Sequence, residues 1–343
     1  MRAPQAARRL VLSPSERVTV SPSLAEALRA GDRRALARAI TLVESTRADH
    51  RAEAETLLAA ISPNTGNSIR IGISGPPGAG KSTFIECFGL TGIARGHHVA
   101  VLAIDPASKR GGGAILADKT RMAELGRSSH AFIRPSSAGI SRGGAARHTR
   151  EAILLCEAAG FDAVVVESLG VGQSETAVSE MTDIFVLILP PAAGDELQGI
   201  KRGIVELADL VLINKADGEL AEAAQRTAAD YASAMRLVRP PSPEWTVPVR
   251  AISALEGRGI AEIWDDIAQF RAALEATGAW MQRRRDQART ALWSEIEAGL
   301  LENFRTSRGV AVRLAALEAD VVAGARTPAE AAREVLAAFL HEP

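Results

Sequence analysis

The chain has 343 residues, 47% apolar and 24% charged, enough for one large α/β domain with helical additions. Its 40 Lys and Arg against 41 Asp and Glu lack the basic excess that draws a protein to nucleic acid or an anionic membrane, so neither is expected as a partner. No stretch has the length and apolarity of a membrane span, and residues 1–20 have no unbroken apolar core before Ser13, so no secretory leader is expected. Two cysteines, Cys87 and Cys156, fall among apolar neighbours in helical patterns. They read as buried thiols of a reducing compartment, and a cytoplasmic location is expected.

Residues 1–20 read as a flexible arm. An N-terminal helical segment follows over 21–62, where Leu24, Ala27 and Leu28, then Leu36, Ala39 and Ile40, recur at helical spacing. Asp32 is placed to cap the second of its helices. An apolar run over 69–74 reads as a buried strand. It leads into Gly75-Pro76-Pro77-Gly78-Ala79-Gly80-Lys81-Ser82, with Thr83 behind, and a helical pattern opens at Lys81. Strand, glycine-rich turn and Lys-Ser at a helix start is the setting of a phosphate-binding P-loop. Backbone N–H groups and the helix start attract an anion. Lys81 is expected on the β- and γ-phosphates and Ser82 on Mg²⁺.

Further apolar strands are expected over 99–104, near 132–133, and over 162–167, 183–189, 209–213 and 249–252, separated by helices near 145–159, up to 208, and over 220–237. This alternation predicts an α/β fold with a doubly wound, mainly parallel sheet, whose ligands sit at the carboxyl ends of the strands. Asp105 and Glu167 close two of the strands, and Asp118 is placed to cap a helix after a loop carrying Gly111, Gly112 and Gly113. These three carboxylates are candidates for the Mg²⁺ shell and for catalysis beside Lys81. Gly170 is placed to sense the γ-phosphate. The next residue is Val171, where Ras-like proteins carry a water-orienting Gln, so slow intrinsic hydrolysis and help from a partner are expected.

Asn214-Lys215-Ala216-Asp217 closes the strand over 209–213. A carboxylate at Asp217 can accept from N1–H and the exocyclic amine of guanine, a donor pair that adenine lacks. Asn214 is expected at the base edge and as a loop brace, with the Lys215 stem over the ring. Ser253-Ala254-Leu255 stands where a second base-binding loop belongs. GTP or GDP with Mg²⁺ is therefore the expected ligand.

The GTPase domain is placed at 63–275 and a C-terminal helical segment at 276–343. Trp293, Ile296, Leu300 and Phe304 form a one-sided apolar stripe there. A homodimer through these C-terminal helices is expected. Arg283, Arg284 and Arg285 precede the stripe and read as a solvated helix face or a partner-binding patch.

Three strings carry a resemblance: DPASKRGGGAILADKTRM over 105–122, ESLGVGQSE over 167–175, and PPAAGDELQGIKRG over 190–203. With them the chain, over roughly 20–340, resembles the MeaB/ArgK/MMAA-type P-loop GTPases. These are G-protein chaperones of adenosylcobalamin-dependent acyl-CoA mutases, chiefly methylmalonyl-CoA mutase. The resemblance implies a phosphate–magnesium site of Lys81, Ser82, Asp105, Asp118 and Glu167, and guanine reading by Asp217. It also implies an extra switch around Asp195, Glu196, Gln198 and Lys201 that couples nucleotide state to the mutase. A homodimer joined through C-terminal helices, and GTP-dependent gating of cofactor loading with protection or reactivation of the mutase, follow from the same likeness. Departures such as Ala107, Ala114, Ala117, Ser168-Leu169 and Ser141-Arg142 cluster in loops and leave sister acyl-CoA mutases open as clients. Two other readings stand beside it: a metal-insertion GTPase, which wants a Cys/His relay, and a small-molecule kinase or transport ATPase, which Asp217 and Ser253 oppose.

Overall fold

The computed structural model describes residues 22–105, 122–137, 144–168, 174–191 and 202–340. Seven strands make one sheet: β1 (Ile69–Ser74), β2 (Val99–Asp105), β3 (Ala131–Ser137), β4 (Ala163–Ser168), β5 (Ile184–Leu189), β6 (Leu210–Ile213) and β7 (Val249–Ala251). Their spatial order is β3-β2-β4-β1-β5-β6-β7. Every pairing is parallel, not merely most of them. The apolar runs explain this: a strand buried on both faces carries no polar alternation, and β4, β5 and β6 are buried at every position.

The helices, in chain order, are α1 (Pro22–Arg29), α2 (Arg33–Val43), α3 (Ala48–Ile61), α4 (Lys81–Ala94), α5 (Ala123–Arg127), α6 (Gly144–Ala158), α7 (Ser174–Ser179), α8 (Arg202–Val205), α9 (Ala221–Met235), α10 (Ile260–Thr277), α11 (Ala279–Thr306), α12 (Arg308–Val322) and α13 (Pro328–Leu340). On one face of the sheet, Leu28, Leu36, Ile40, Leu57, Cys156 and Tyr231 pack on Val164, Val166 and Phe185. On the other, Phe84, Phe88, Leu125, Trp264 and Phe270 pack on Val165, Ile184 and Leu212. The alternation of Val164 and Val166 against Val165 is the two-residue period of a strand between two helical layers. Asp32 caps α2 as expected, its Oδ1 accepting from the N–H groups of Arg34 at 2.7 Å and Ala35 at 3.2 Å. Helix α8 is described over Arg202–Val205, before the Ala208 end that the sequence predicts, and residues 192–201 ahead of it lie outside the described residues. No helix among the described residues is long and apolar enough to cross a membrane. The arm over 1–20 lies outside the described residues.

Neither reading of the arginine triple holds for its first two members. Arg284 donates to both carboxylate oxygens of Asp183 at 2.8 and 2.6 Å, and to the carbonyls of Gly66 at 2.6 Å and Ser68 at 2.7 Å. Arg283 pairs with both oxygens of Asp209, at 3.2 and 2.8 Å. Asp183 and Asp209 in turn accept from the N–H groups of Arg70 at 2.8 Å and Phe185 at 2.9 Å. The two arginines thus bolt α11 to the amino ends of β1, β5 and β6. Arg285 alone is exposed, as a solvated face requires. The cysteines also divide. Cys156 is fully buried and its thiol is pushed up by that burial, whereas Cys87 is half-buried.

Among the described residues the stripe on α11 finds little cover. Trp293 is 60% exposed and Leu300 57%, with Ile296 at 40%. Phe304 alone packs, edge-on to Phe339 at 5.4 Å, beside a small core of Val310, Leu317, Ala331 and Val335.

Replacing Arg284 with Ala removes the guanidinium from the Asp183 carboxylate, whose side chain is 1% exposed, and leaves it the Arg70 N–H. The variant is expected to lose about 3 kcal/mol of stability, the lower end for a broken buried pair. Urea denaturation checks this; a loss under about 0.5 kcal/mol, the scale of an exposed pair, would contradict it.

Candidate nucleotide site

The strand order places β1 between strands reached by opposite turns of the chain, β4 on one side and β5 on the other. A crevice at such a reversal, outside the carboxyl ends of the strands, is where open parallel sheets bind ligand. The glycine-rich loop leaves β1 there. Gly75 must be glycine, because a Cβ would lie 2.0 Å from the Ile188 carbonyl oxygen on β5. Gly80 is left-handed at φ 87° immediately before α4, and a Cβ on it would meet Asn214 Nδ2 at 2.5 Å. Pro77, Gly78 and Thr83 are exposed, Pro76 and Ser82 half-buried, and Ala79 buried.

Lys81 is 8% exposed and folds back over the loop. Its ammonium donates to the carbonyls of Gly75 at 2.7 Å and Pro76 at 3.2 Å. Burial pushes its pKa below the ordinary lysine value, and the carboxylates of Glu167 and Glu175 oppose that shift. A cation so placed gains by exchanging carbonyl partners for phosphate oxygens.

Glu167 is 4% exposed and sits on β4 between Ile73 of β1 and Ala103 of β2. The next residue, Ser168, donates its hydroxyl to Ser74 Oγ at 2.8 Å and ties β4 to β1 just below the loop. Asp105 closes β2 one position beyond Ile104, the partner of Ser168. Glu167 therefore lies near the carboxyl end of β4, where its charge acts on Lys81. Its carboxylate and the Ser82 hydroxyl are hard oxygen donors, the chemistry that fits Mg²⁺. The Asp105 carboxylate, Asp118, Gly170 and Val171, and the switch residues Asp195, Glu196, Gln198 and Lys201, lie outside the described residues.

Glu175 is a candidate that sequence reasoning passed over. It opens α7, is 2% exposed, and its charge acts on Lys81. The only signal was its place at the end of ESLGVGQSE, where it read as part of a pattern rather than as a buried charge.

The second half of the site lies at the tips of β6 and β7. Asn214 is 2% exposed. Its Nδ2 donates to Ala79 O at 2.9 Å and its Oδ1 accepts from Ala254 N at 3.0 Å. Both ends of the amide thus join the P-loop to the Ser253 loop, so the brace expected of Asn214 is what this structure displays. Asp217 accepts through Oδ2 from the Ser253 hydroxyl in a short hydrogen bond. Lys215 is the one non-glycine with positive φ among the described residues, at 61°. Leu255 is 79% exposed, so its backbone rather than a packed side chain is what the loop can offer a ligand.

Among the described residues no group of three His, Cys, Asp or Glu is arranged to hold a metal ion. His98 Nε2 meets His130 Nδ1 at 2.9 Å near the amino end of β2, a pairing that sequence spacing does not reveal.

The chain matches a family model described as methylmalonyl Co-A mutase-associated GTPase MeaB over residues 36–308. The mouse protein named methylmalonic aciduria type A homolog, mitochondrial, is 48% identical over 319 residues, covering 90% of this chain and 77% of that protein. GTPase ArgK of Escherichia coli K12 is 48% identical over 277 residues, covering 81% and 84%. A crystal structure described as LAO/AO transport system kinase superposes with a TM-score of 0.73 at 38% identity, covering 93% of this chain and 97% of that one. A phosphate loop and a guanine-type base loop braced on one parallel sheet, together with these likenesses, make the chain a GTP-hydrolysing member of the MeaB family of P-loop GTPases.

Proposed function

We propose that this GTPase is a nucleotide-gated chaperone of an adenosylcobalamin-dependent acyl-CoA mutase, with methylmalonyl-CoA mutase as the first client to test. The observation that carries the proposal is the match over residues 36–308 to a family described by its association with that mutase. In this reading the GTPase gates loading of the cofactor and protects or reactivates the mutase.

The site residues take their roles from position and chemistry. Residues 75–83 wrap the phosphates, with Lys81 moving from its loop carbonyls to the β- and γ-phosphates. Ser82, Glu167, Asp105 and Asp118 hold Mg²⁺, directly or through water. Bound there, Mg²⁺ would supply positive charge against the phosphate oxygens. The charges of Glu167 and Glu175 oppose the effect of burial on Lys81. Asp217 reads the guanine edge, Ser253 fixes its carboxylate, and Asn214 keeps phosphate and base loops in register. The Val171 side chain offers a water no hydrogen-bonding group, so the isolated protein turns over slowly and the mutase completes the site. Asp195, Glu196, Gln198 and Lys201 carry the nucleotide state to the mutase, and Gly170 reports the γ-phosphate.

The C-terminal helices over 276–343 join two copies in this proposal. The exposed Trp293, Ile296 and Leu300 call for an apolar partner face, and a second α11 supplies one of matching pattern.

Two measurements test these claims. Mixed with methylmalonyl-CoA mutase and GTP, the protein is expected to co-elute with it in gel filtration and to hydrolyse GTP at least about tenfold faster than alone, part of the gain a partner can supply to a slow GTPase. The Lys81→Ala variant is expected to lose the stimulation. Failure to co-elute in any nucleotide state would refute the chaperone reading. Light scattering at micromolar concentration is expected to give the mass of two chains for the native protein and of one chain for a W293E/L300E variant. A one-chain mass for the native protein would overturn the dimer.

A further inference from the structure

We infer that Arg258 is a positioning residue for guanine recognition, holding in place the peptide on which Asp217 is mounted. The inference rests on the base-site reading given above.

The loop after β7 closes on itself. Ser253 N donates to Arg258 O at 3.1 Å and Arg258 N to Ser253 O at 3.0 Å, an isolated antiparallel bridge. The Ser253 hydroxyl accepts from Glu256 N at 3.1 Å, which leaves its hydrogen for Asp217. The bridge turns the Arg258 side chain back toward the neighbouring loop. There Nη1 donates to the Ala216 carbonyl at 3.1 Å, while Nη2 pairs with Glu256.

That carbonyl belongs to the peptide joining Ala216 to Asp217. The preceding peptide is held as well, since Ala216 N donates to Ile252 O at 2.9 Å. Both peptide groups flanking Ala216 are therefore fixed from the β7 side, one by backbone and one by the guanidinium. Immediately before them stands Lys215 in its left-handed conformation, an unfavourable backbone state that persists only where neighbours over-determine it. Without Arg258 the 216–217 peptide plane can tilt and carry the Asp217 carboxylate with it. A planar fork can serve a carbonyl and a carboxylate together; an ammonium is a single point of charge.

The Arg258 side chain is 62% exposed. Its contacts therefore contribute little to global stability. Their effect falls on orientation, and orientation matters most where a buried recognition bond must be well aligned.

The test compares GDP with IDP by titration calorimetry on the full chain. Hypoxanthine lacks the exocyclic amine, so the ratio of the two affinities reports how well the Asp217 carboxylate is aimed. Arg258→Ala is expected to narrow the native GDP-over-IDP ratio by about threefold or more, on the scale of one hydrogen bond, with an unchanged melting temperature. Arg258→Lys is expected to restore part of the ratio, because an ammonium still reaches the Ala216 carbonyl. An R258A ratio equal to the native one, or equal losses for GDP and IDP, would overturn the inference. A native protein with no preference for GDP over IDP would overturn the base-site reading itself, and that result appears before any substitution at 258.

Discussion

One side-chain amide spans two loops that belong to different strands. Asn214 donates to the carbonyl of Ala79 in the phosphate loop and accepts from the N–H of Ala254 in the base loop. Both bonds are buried, so losing either would leave a backbone group desolvated and unpaired, a cost of about 1–3 kcal/mol. In the proposed nucleotide site, this brace joins two distant segments into one receptor. It also explains why Gly80 must be glycine, since a Cβ would occupy the place of Asn214 Nδ2. A nucleotide has a fixed span between base and phosphate, so a receptor whose two halves move independently would lose affinity to ordering.

The sheet carries that receptor at the carboxyl ends of its strands and an ionic base at their amino ends. Arg283 and Arg284 of α11 pair with Asp209 and Asp183 at the amino ends of the central strands. Arg70 of β1 reaches Glu157 of α6 at 2.8 Å, where Glu157 also takes the Ser68 hydroxyl at 2.6 Å and Gly66 N at 2.8 Å. Burial pushes the Glu157 carboxyl up; the Arg70 guanidinium and the other donors outweigh this and hold it below the ordinary value. The exposed apolar stripe of α11 is thus presented by a helix fixed to the same strands that carry the phosphate loop at their other end. In the proposed chaperone, this gives the nucleotide domain and the helical extension one frame of reference.

Local patterns were legible in the sequence, and long-range contacts were not. Gly75 to Ser82 is contiguous, as is Asn214 to Asp217, and each sits at the end of an apolar run that reads directly as a strand. Asp32 as a helix cap depends on neighbours two and three residues away, so a short stretch of sequence is enough to reveal it. By contrast, Arg284 finds its partners 101, 216 and 218 residues away, and a run of three arginines gives no hint of that. Glu175 was invisible for a similar reason: its burial follows from how α7 packs on the sheet, with Val178 filling the space over Gly72. The half-buried Cys87 shows the limit of reading burial from apolar neighbours, since one residue of a helix can face the rim of a core.

The most direct test of a guanine site at the tips of β6 and β7 is to change the hydrogen-bonding sense of Asp217. A carboxylate accepts two donors from guanine and repels the 2-oxo group of xanthine; an Asn side chain can donate to that oxygen. Titration of native protein and the Asp217→Asn variant with GDP and XDP is therefore expected to show native preference for GDP and a reversed preference in the variant, with GDP weakened about tenfold or more. A variant that keeps native GDP affinity and still rejects XDP would contradict the account.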